Sequence, residues 1–310
     1  MKILDAFFVM RPLILIPVWG YFLLGYYSAV KNYSNVDSFA FIWTFSPLTW
    51  LTLSLLLMSV ASAYVLNQLN DIEADKKNGG LPLIAAGKFP ASVAKIETLL
   101  LAILPLIISA FIAPQVFFLI TLATLLNAAY NLRPLYFTGR PFADFLSNAI
   151  GFGFVAFGLG WISAHNMTLP SIWNMTASSM PYFLFMAAGS INSTIPDRFG
   201  DKEAGKITTV VFLGEKKANL ISILFLLSAL TAAVINEDRL AILTASISIP
   251  LFIKYQITSK ESDALRTFQV GGALLIILIA IFVPVFCISG IAIFFATRLY
   301  FKKRFGVKYP

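Results

Sequence analysis

Nine apolar stretches, each about as long as a membrane-crossing helix, occupy most of the chain. They lie near residues 12–30, 49–69, 92–112, 115–131, 142–164, 179–195, 217–235, 239–257 and 269–296. A helix needs roughly 20 mostly apolar residues to cross a bilayer, and the short alternating segments of transmembrane β-barrels do not occur here. Only 12% of the residues are charged, about half the fraction in a typical soluble domain. The sequence therefore predicts an all-α membrane protein: a single domain over residues 1–310 with about nine transmembrane helices.

Lysine and arginine are unevenly divided between the loops on the two sides of these spans. The N-terminus and the loops after spans two, four, six and eight hold 16 of them, whereas the opposite loops hold only Lys31 and Arg239. Because Lys and Arg concentrate on the cytoplasmic side, the even-numbered loops are predicted to face the cytoplasm, in a multi-pass protein of the cell's inner membrane. This bias explains the formal net charge of +8, and no nucleic-acid partner is predicted. The C-terminal segment RLYFKKRFGVKYP carries five further cations. Nine spans would place this segment outside the cell, so either the last span is miscounted or positive charge is tolerated there.

Two acidic motifs fall at equivalent ends of two predicted spans. Asn67, Asp71 and Asp75 follow one another at i, i+4 and i+8 at the end of the second span, so they share one stripe of a helix. Asp197 and Asp201 repeat the i, i+4 spacing at the end of the sixth span, within NSTIPDRFGDKEAGK. Both ends are predicted to lie on the cytoplasmic side, so the two motifs can converge on one pocket.

The chemistry of such a pocket points to a metal ion and a diphosphate. Four carboxylates in one cavity repel one another unless cations join them, and Mg²⁺ commonly binds one or two carboxylates together with substrate phosphates. Acids at helix ends can also be solvated caps, which is how we interpret Glu73 and Glu203; two matching motifs on one side favour a Mg²⁺–diphosphate site. The cations predicted to neutralise phosphate oxygens there are Arg133, Arg140, Arg198 and Lys202.

These motifs are similar to those of the UbiA-type intramembrane prenyltransferases. Asn67, Gln68, Asp71 and Asp75 match the first motif of that family, and DRFGDKEAGKITTVVFLG matches the second. The segment YNLRPLYFTGRP, from Tyr130, resembles the tyrosine-led loop between them. The motif order and the nine spans extend the resemblance over almost the whole chain.

Three positions depart from the family pattern. Gln68 stands where the family usually has an acid, and Leu81 stands in place of an arginine. The basic residue common in the tyrosine-led loop falls on Thr138, so Arg133 or Arg140 would replace it.

The resemblance implies a Mg²⁺-dependent transfer of an isoprenyl group from an allylic prenyl diphosphate to an aromatic or lipid acceptor. Quinone or related prenyl-lipid biosynthesis is the implied role, with membrane lipid around the protein and the active site facing the cytoplasm. Tyr130 either offers its ring to an allylic cation or packs in the aromatic belt of the membrane interface. The implied metal ligands, which with Tyr130 form the catalytic set, are Asp71, Asp75, Asp197 and Asp201. The implied substrate-binding residues are Asn67, Arg133, Arg140, Arg198 and Lys202.

Other functions remain open at this stage. A transporter would place its binding residues near the bilayer midplane, often within inverted repeats, whereas these acids lie at helix ends. A CDP-alcohol phosphotransferase would carry its acids in one continuous motif, which this chain lacks. A UbiA-like protein with altered or lost activity is a further alternative, motivated by Gln68 and Leu81.

The run IGFGFVAFGLGWIS, from Ile150, combines aromatic and small residues. Its small residues suit close helix packing, and the same helix could alternatively line a channel for a prenyl tail.

Overall fold

The computed structural model describes residues 3–34, 41–70, 72 and 82–309, so Asp71, Asp75 and Leu81 lie outside the described residues. Every regular element in the described part of the chain is helical, which confirms the predicted fold class. The helices are α1 (Ile3–Val9), α2 (Leu15–Ser34), α3 (Pro47–Asn70), α4 (Pro82–Ala85), α5 (Ala91–Ser109), α6 (Pro114–Asn131), α7 (Ala143–Ala164), α8 (Ile172–Ser193), α9 (Arg198–Glu203), α10 (Thr209–Leu213), α11 (Glu215–Ile235), α12 (Arg239–Thr258), α13 (Glu261–Phe282) and α14 (Pro284–Phe305), with a 3₁₀ turn at Phe137–Gly139.

Ten of the described helices have 18 or more residues and form the bundle. Seven of them, α3, α5, α7, α11, α12, α13 and α14, are long and apolar enough to cross a membrane by length and composition; the other three are α2, α6 and α8. Large apolar side chains cover the outer surface, with Phe111 86% and Ile257 78% exposed. A surface of this kind suits lipid rather than water.

The predicted ninth span, 269–296, has the wrong bounds, because two helices occupy it. Helix α13 ends at Phe282, Val283 separates the helices, and Pro284 begins α14. Proline has no backbone N–H to donate and its fixed φ suits the first position of a helix, so Pro284 ends one helix and starts the next. The apolar run of the sequence continues through this break, which is why nine spans were counted in place of ten long helices.

The extra helix places the basic tail at the end of the bundle where α3 ends at Asn70, which we name the motif end. Helix α1 lies there, since the Val9 carbonyl accepts a hydrogen bond from Gln68 Nε2. Helix α13 ends on the opposite side, where the Phe282 carbonyl accepts from Ile42 N, and α14 returns until Arg304 pairs with α1. The basic tail therefore lies on the same side as the cation-rich loops, as expected when Lys and Arg concentrate on one side of a membrane.

Glycines allow α2 and α7 to pack backbone against backbone. A Cβ atom at Gly160 would lie 1.8 Å from the carbonyl oxygen of Phe22, and one at Gly25 would lie 1.9 Å from that of Phe157. Backbone-to-backbone packing this close is possible only without side chains. The packing role predicted for the small residues of this run is thus observed.

The middle of α7 departs from α-helical geometry. Residues Ala149–Ala156 form a π-helical stretch between two α-helical segments. Such stretches are rare and often occur at functional sites. In this protein Gly151 and Phe152 of the stretch face an internal cavity.

Candidate active site

Three segments that the sequence singled out are neighbours at the motif end. Asn70 Nδ2, at the end of α3, donates to the carbonyl of Asn131, at the end of α6, over 3.1 Å. The tyrosine-led loop that follows α6 contacts the segment after α9, where Ile207 N donates to the Gly139 carbonyl over 3.1 Å. The end of α3, which carries the start of the first motif, therefore forms one continuous region with the tyrosine-led loop and the second motif.

The two acids of the second motif lie on the short helix α9 and at the residue that precedes it. Asp197 is exposed and occupies the N-cap position, and Asp201 is half-buried one turn later. Burial raises the pKa of the Asp201 carboxyl; nearby Lys206 opposes this shift, whereas the carboxylates of Asp197 and Asp144 add to it. A carboxyl in such surroundings ionises more readily when a cation binds next to it.

The carboxylates fit a magnesium ion in their chemistry. Hard oxygen donors are the ligands that Mg²⁺ prefers, and Asp197 and Asp201 supply them on one short helix. Within the described residues, no three His, Cys, Asp or Glu side chains are grouped closely enough to hold a metal ion. The other two predicted ligands, Asp71 and Asp75, lie outside the described residues, so the set of four carboxylates stays a prediction.

Asp144, at the start of α7, was not among the predicted site residues. Its side chain is 4% exposed and accepts hydrogen bonds from Thr209 N at 2.7 Å, from Thr209 Oγ1 at 2.5 Å and from Phe145 N at 2.9 Å. These bonds join the start of α7 to the start of α10, and so fix the segment that carries Lys206 beside Asp201. The only sequence signal for Asp144 is an acid within an otherwise apolar predicted span.

Arg198, predicted to bind substrate, is engaged with the bundle in this structure. Its Nη2 lies 3.1 Å from Glu215 Oε2, at the start of α11, and Tyr255 Oη donates to the same oxygen over 3.2 Å. Its guanidinium also lies 4.3 Å from the ring centroid of Phe199. Arg198 thus ties the acidic helix α9 to α11, and its contact with substrate stays a prediction.

The other predicted cations lie at the surface of the motif end. Arg133 is exposed, with its guanidinium 5.5 Å from the ring centroid of Tyr136. Arg140, also exposed, donates to the Pro134 carbonyl. Lys202 is exposed on α9. None of these positions tests the predicted role in binding substrate.

A cavity of about 250 Å³, which we name the polar cavity for the polar side chains within its otherwise apolar lining, brings together Asn67 and Tyr130, the remaining predicted residues. Thr138 of the tyrosine-led loop lines it as well, and so does Arg11, which the sequence analysis counted only as a topological charge. Further polar lining comes from Tyr64, Asn127, Asn131, Ser147 and Asn148. The cavity thus offers amide and hydroxyl groups and one guanidinium to a bound molecule.

A larger apolar chamber of about 600 Å³ adjoins this cavity. It lies among α2, α7, α8, α12 and α13, and its walls include Phe185, Phe252 and Ile276. Ile14, Tyr64, Asn148 and Phe152 line both spaces. The polar cavity and the apolar chamber are therefore adjacent parts of one site, suited to a molecule with a polar head and an apolar tail.

Similarity to known proteins agrees with these features. A model of the UbiA prenyltransferase family matches residues 14–268. The chain is 30% identical over 182 residues to a digeranylgeranylglyceryl phosphate synthase of Sulfolobus acidocaldarius, an alignment that covers 58% of this chain and 62% of the relative. The chain thus matches less than two thirds of the length of that curated relative.

Solved structures share the fold at low sequence identity. A digeranylgeranylglyceryl phosphate synthase superposes with a TM-score of 0.67 at 18% identity, over 91% of this chain and 98% of that one. A UbiA homologue from Archaeoglobus fulgidus, bound to GPP and Mg²⁺, superposes with a TM-score of 0.60 at 20% identity, over 90% of this chain and 99% of that one. The family match covers most of the sequence, and the chain belongs to the UbiA prenyltransferase family.

Proposed function

We propose that this protein transfers a prenyl group from an allylic prenyl diphosphate to a lipid acceptor, with Mg²⁺, at the motif end of the bundle. The observation that carries the proposal is the polar cavity, with Asn67 and Tyr130 in its wall, directly beside an apolar chamber. A polar reacting group and an apolar chain can occupy the two parts at once. Family membership supports the reaction class.

The acidic side chains have the binding role in this proposal. Asp71, Asp75, Asp197 and Asp201 would hold Mg²⁺, which supplies positive charge that stabilises a leaving diphosphate. Asn67 orients the donor at the cavity wall, and the Tyr130 ring faces positive charge that develops on the allylic carbon. Phosphate oxygens are further neutralised by the cations at this end, namely Arg133, Arg140, Arg198 and Lys202.

The apolar chamber suits the chain of a prenyl donor and that of a lipid acceptor alike, and the choice of a lipid over an aromatic acceptor is supported by a relative. About 600 Å³ of largely apolar space lies within the range of ligand pockets, roughly 300–1,000 Å³. The relative from Sulfolobus acidocaldarius is named as the synthase of a glyceryl phosphate lipid, which supports the same choice. The role in quinone biosynthesis stays a prediction.

We place the motif end at the cytoplasmic side of the cell membrane. Among the Lys and Arg residues that the structure describes, only Lys31, near the end of α2, and Arg239, at the start of α12, lie at the opposite end. Since the basic end of α14 now joins the cation-rich side, the positive-inside rule supports this orientation.

The proposal is tested by an assay in membranes that pairs geranyl, geranylgeranyl and longer prenyl diphosphates with a panel of acceptors. The acceptors are hydroxybenzoate, dihydroxynaphthoate, homogentisate and a glycerol ether lipid, and the product mass identifies both substrates. A prenylated ether lipid is the expected product. Prenylation of an aromatic acceptor alone would overturn the lipid assignment, and donor binding without any product would support the alternative of a UbiA-like protein without activity.

A bulky side chain in the apolar chamber is expected to lower turnover of substrates with long prenyl chains more than turnover of substrates with short ones. Gly272 lines the chamber, and a Cβ atom there meets nothing within 4 Å. We expect Gly272→Phe to lower turnover of a geranylgeranyl substrate about tenfold more than that of a geranyl substrate, since pocket contacts worth one or two methylenes discriminate by roughly this factor. The ratio of the two rates is the measurement.

Gly272→Ala is the matched control for this prediction, because it adds a methyl group into open space. We expect its rate ratio to equal that of the wild type. An equal loss for both chain lengths in Gly272→Phe would contradict the placement of a chain in the apolar chamber.

A further inference from the structure

Helix α14 lies beyond residues 14–268, the part matched by the family model, and is fixed to α1 by a buried ion pair. Asp5 is fully buried; it accepts hydrogen bonds from Tyr300 Oη at 2.6 Å and from Arg304 Nη2 at 3.1 Å. The ring of Phe8 stacks on that of Tyr300, with centroids 3.9 Å apart and planes 12° from parallel. A buried charge is tolerated only when it is paired and hydrogen-bonded in this way, so the contact is specific.

The other end of α1 is fixed to α3. Gln68 is 2% exposed, and its Nε2 donates to the Val9 carbonyl over 2.7 Å. An ionised carboxylate at this position has no hydrogen to donate. The departure of Gln68 from the family pattern therefore coincides with a contact that holds α1 in place.

Arg11 follows α1 in a conformation that such anchoring explains. Its φ of 54° lies in the left-handed region, which non-glycine residues rarely adopt. Arg11 N donates to the Phe8 carbonyl, and the Arg11 carbonyl accepts from Ile14 N, so a tight turn joins α1 to α2. Strained conformations persist where the surrounding structure fixes them, and they cluster at ligand sites.

The turn brings Arg11 to the wall of the polar cavity, together with Asn67 and Tyr130. Of the described residues that line this cavity, Arg11 alone carries a charge. A guanidinium binds phosphate or carboxylate oxygens through two parallel hydrogen bonds, and it does so more strongly where water is excluded. The chemistry of this wall therefore suits an anionic oxygen group.

We propose that α14, clamped to α1 through Asp5, holds Arg11 at the polar cavity, where Arg11 binds an anionic oxygen group of a substrate. Asp5, Tyr300 and Arg304 are positioning residues, because they act through Arg11. The inference rests on the proposed function, since a prenyl transfer supplies two possible sources of this group: the diphosphate of the donor and an anionic head group on the acceptor.

The test measures KM and kcat for both substrates in Arg11→Gln. We expect KM for one substrate to rise about tenfold, equivalent to about 1.4 kcal/mol, with kcat changed much less. A rise in the donor KM assigns the diphosphate to Arg11, and a rise in the acceptor KM assigns the acceptor head group. Arg11→Lys, which keeps the charge without the bidentate fork, is expected to fall between wild type and Arg11→Gln.

The positioning role is tested by Arg304→Gln and Asp5→Asn, which should raise the same KM as Arg11→Gln. If Arg304 acts through Arg11, the double variant Arg11→Gln/Arg304→Gln has the KM of Arg11→Gln alone. Lys303→Gln removes one charge from an exposed neighbour on α14 and is the matched control, with an unchanged KM.

Four outcomes count against the inference. Unchanged KM values in an active Arg11→Gln overturn the anion site. Lower thermal stability of Arg304→Gln with unchanged KM, or additive effects in the double variant, overturn the positioning role. If the wild type shows no turnover, the proposed function fails, and binding of inorganic diphosphate and of glycerol phosphate without Mg²⁺ then decides the anion site: equal affinity of wild type and Arg11→Gln for both ligands overturns it.

Discussion

Asp201→Asn is expected to abolish Mg²⁺-dependent release of diphosphate from a prenyl donor while the protein stays folded. Asparagine keeps the size of the side chain but removes the negative charge that a divalent cation needs. Loss of one preorganised electrostatic contact at a reacting group typically lowers kcat about a hundredfold or more. Diphosphate release in membranes, measured across a Mg²⁺ titration, gives the rate, and thermal unfolding in detergent reports the fold.

The same helix supplies the control. Glu203 is an exposed acid two residues from Asp201, and we interpret it as solvated; Glu203→Gln should therefore retain the wild-type rate. Asp71→Ala and Asp197→Ala are expected to lose turnover as Asp201→Asn does. Turnover retained in both alanine variants would disprove the metal site.

The long helices could be predicted from the sequence because lipid leaves few alternatives to an apolar helix. The predicted span 142–164 coincides with Ala143–Ala164, and the span 217–235 with Glu215–Ile235, to within two residues. The break at Val283 could not be read from hydropathy, because the residues on both sides of it are apolar. Pro284 was its only local signal, and proline also occurs inside helices of this bundle, at Pro105 and Pro250.

The site was predicted only where a local motif existed. Asn67 and Tyr130 were identified by their motifs, and both line the polar cavity. Asp144 bonds to Thr209, which is 65 residues away, and the turn at Arg11 depends on a helix almost 300 residues later in the chain. Contacts at such separations leave no periodic pattern in the sequence, so the partners of these two residues were apparent only in the folded structure.

Gly160→Ala is expected to destabilise the protein more than alanine at any other glycine of α7. Its Cβ would lie 1.8 Å from the Phe22 carbonyl oxygen, and that oxygen belongs to a helix backbone that cannot rotate away. Overpacking that moves backbone typically lowers the free energy of unfolding by about 1–3 kcal/mol, and a clash this short with a backbone atom belongs at the upper end of that range. We expect a lower Tm in detergent and a lower yield of folded protein.

Gly151→Ala is the matched control on the same helix, because a Cβ atom there meets nothing within 4 Å; its Tm should be close to that of the wild type. Gly25→Ala meets the Phe157 carbonyl at 1.9 Å across the same crossing and should lower the Tm as Gly160→Ala does. Since one outward shift of α2 relieves both clashes, the double variant should cost less than the sum of the single variants. Full additivity would show that the two contacts are independent, and a wild-type Tm in Gly160→Ala would show that the helices do not approach this closely.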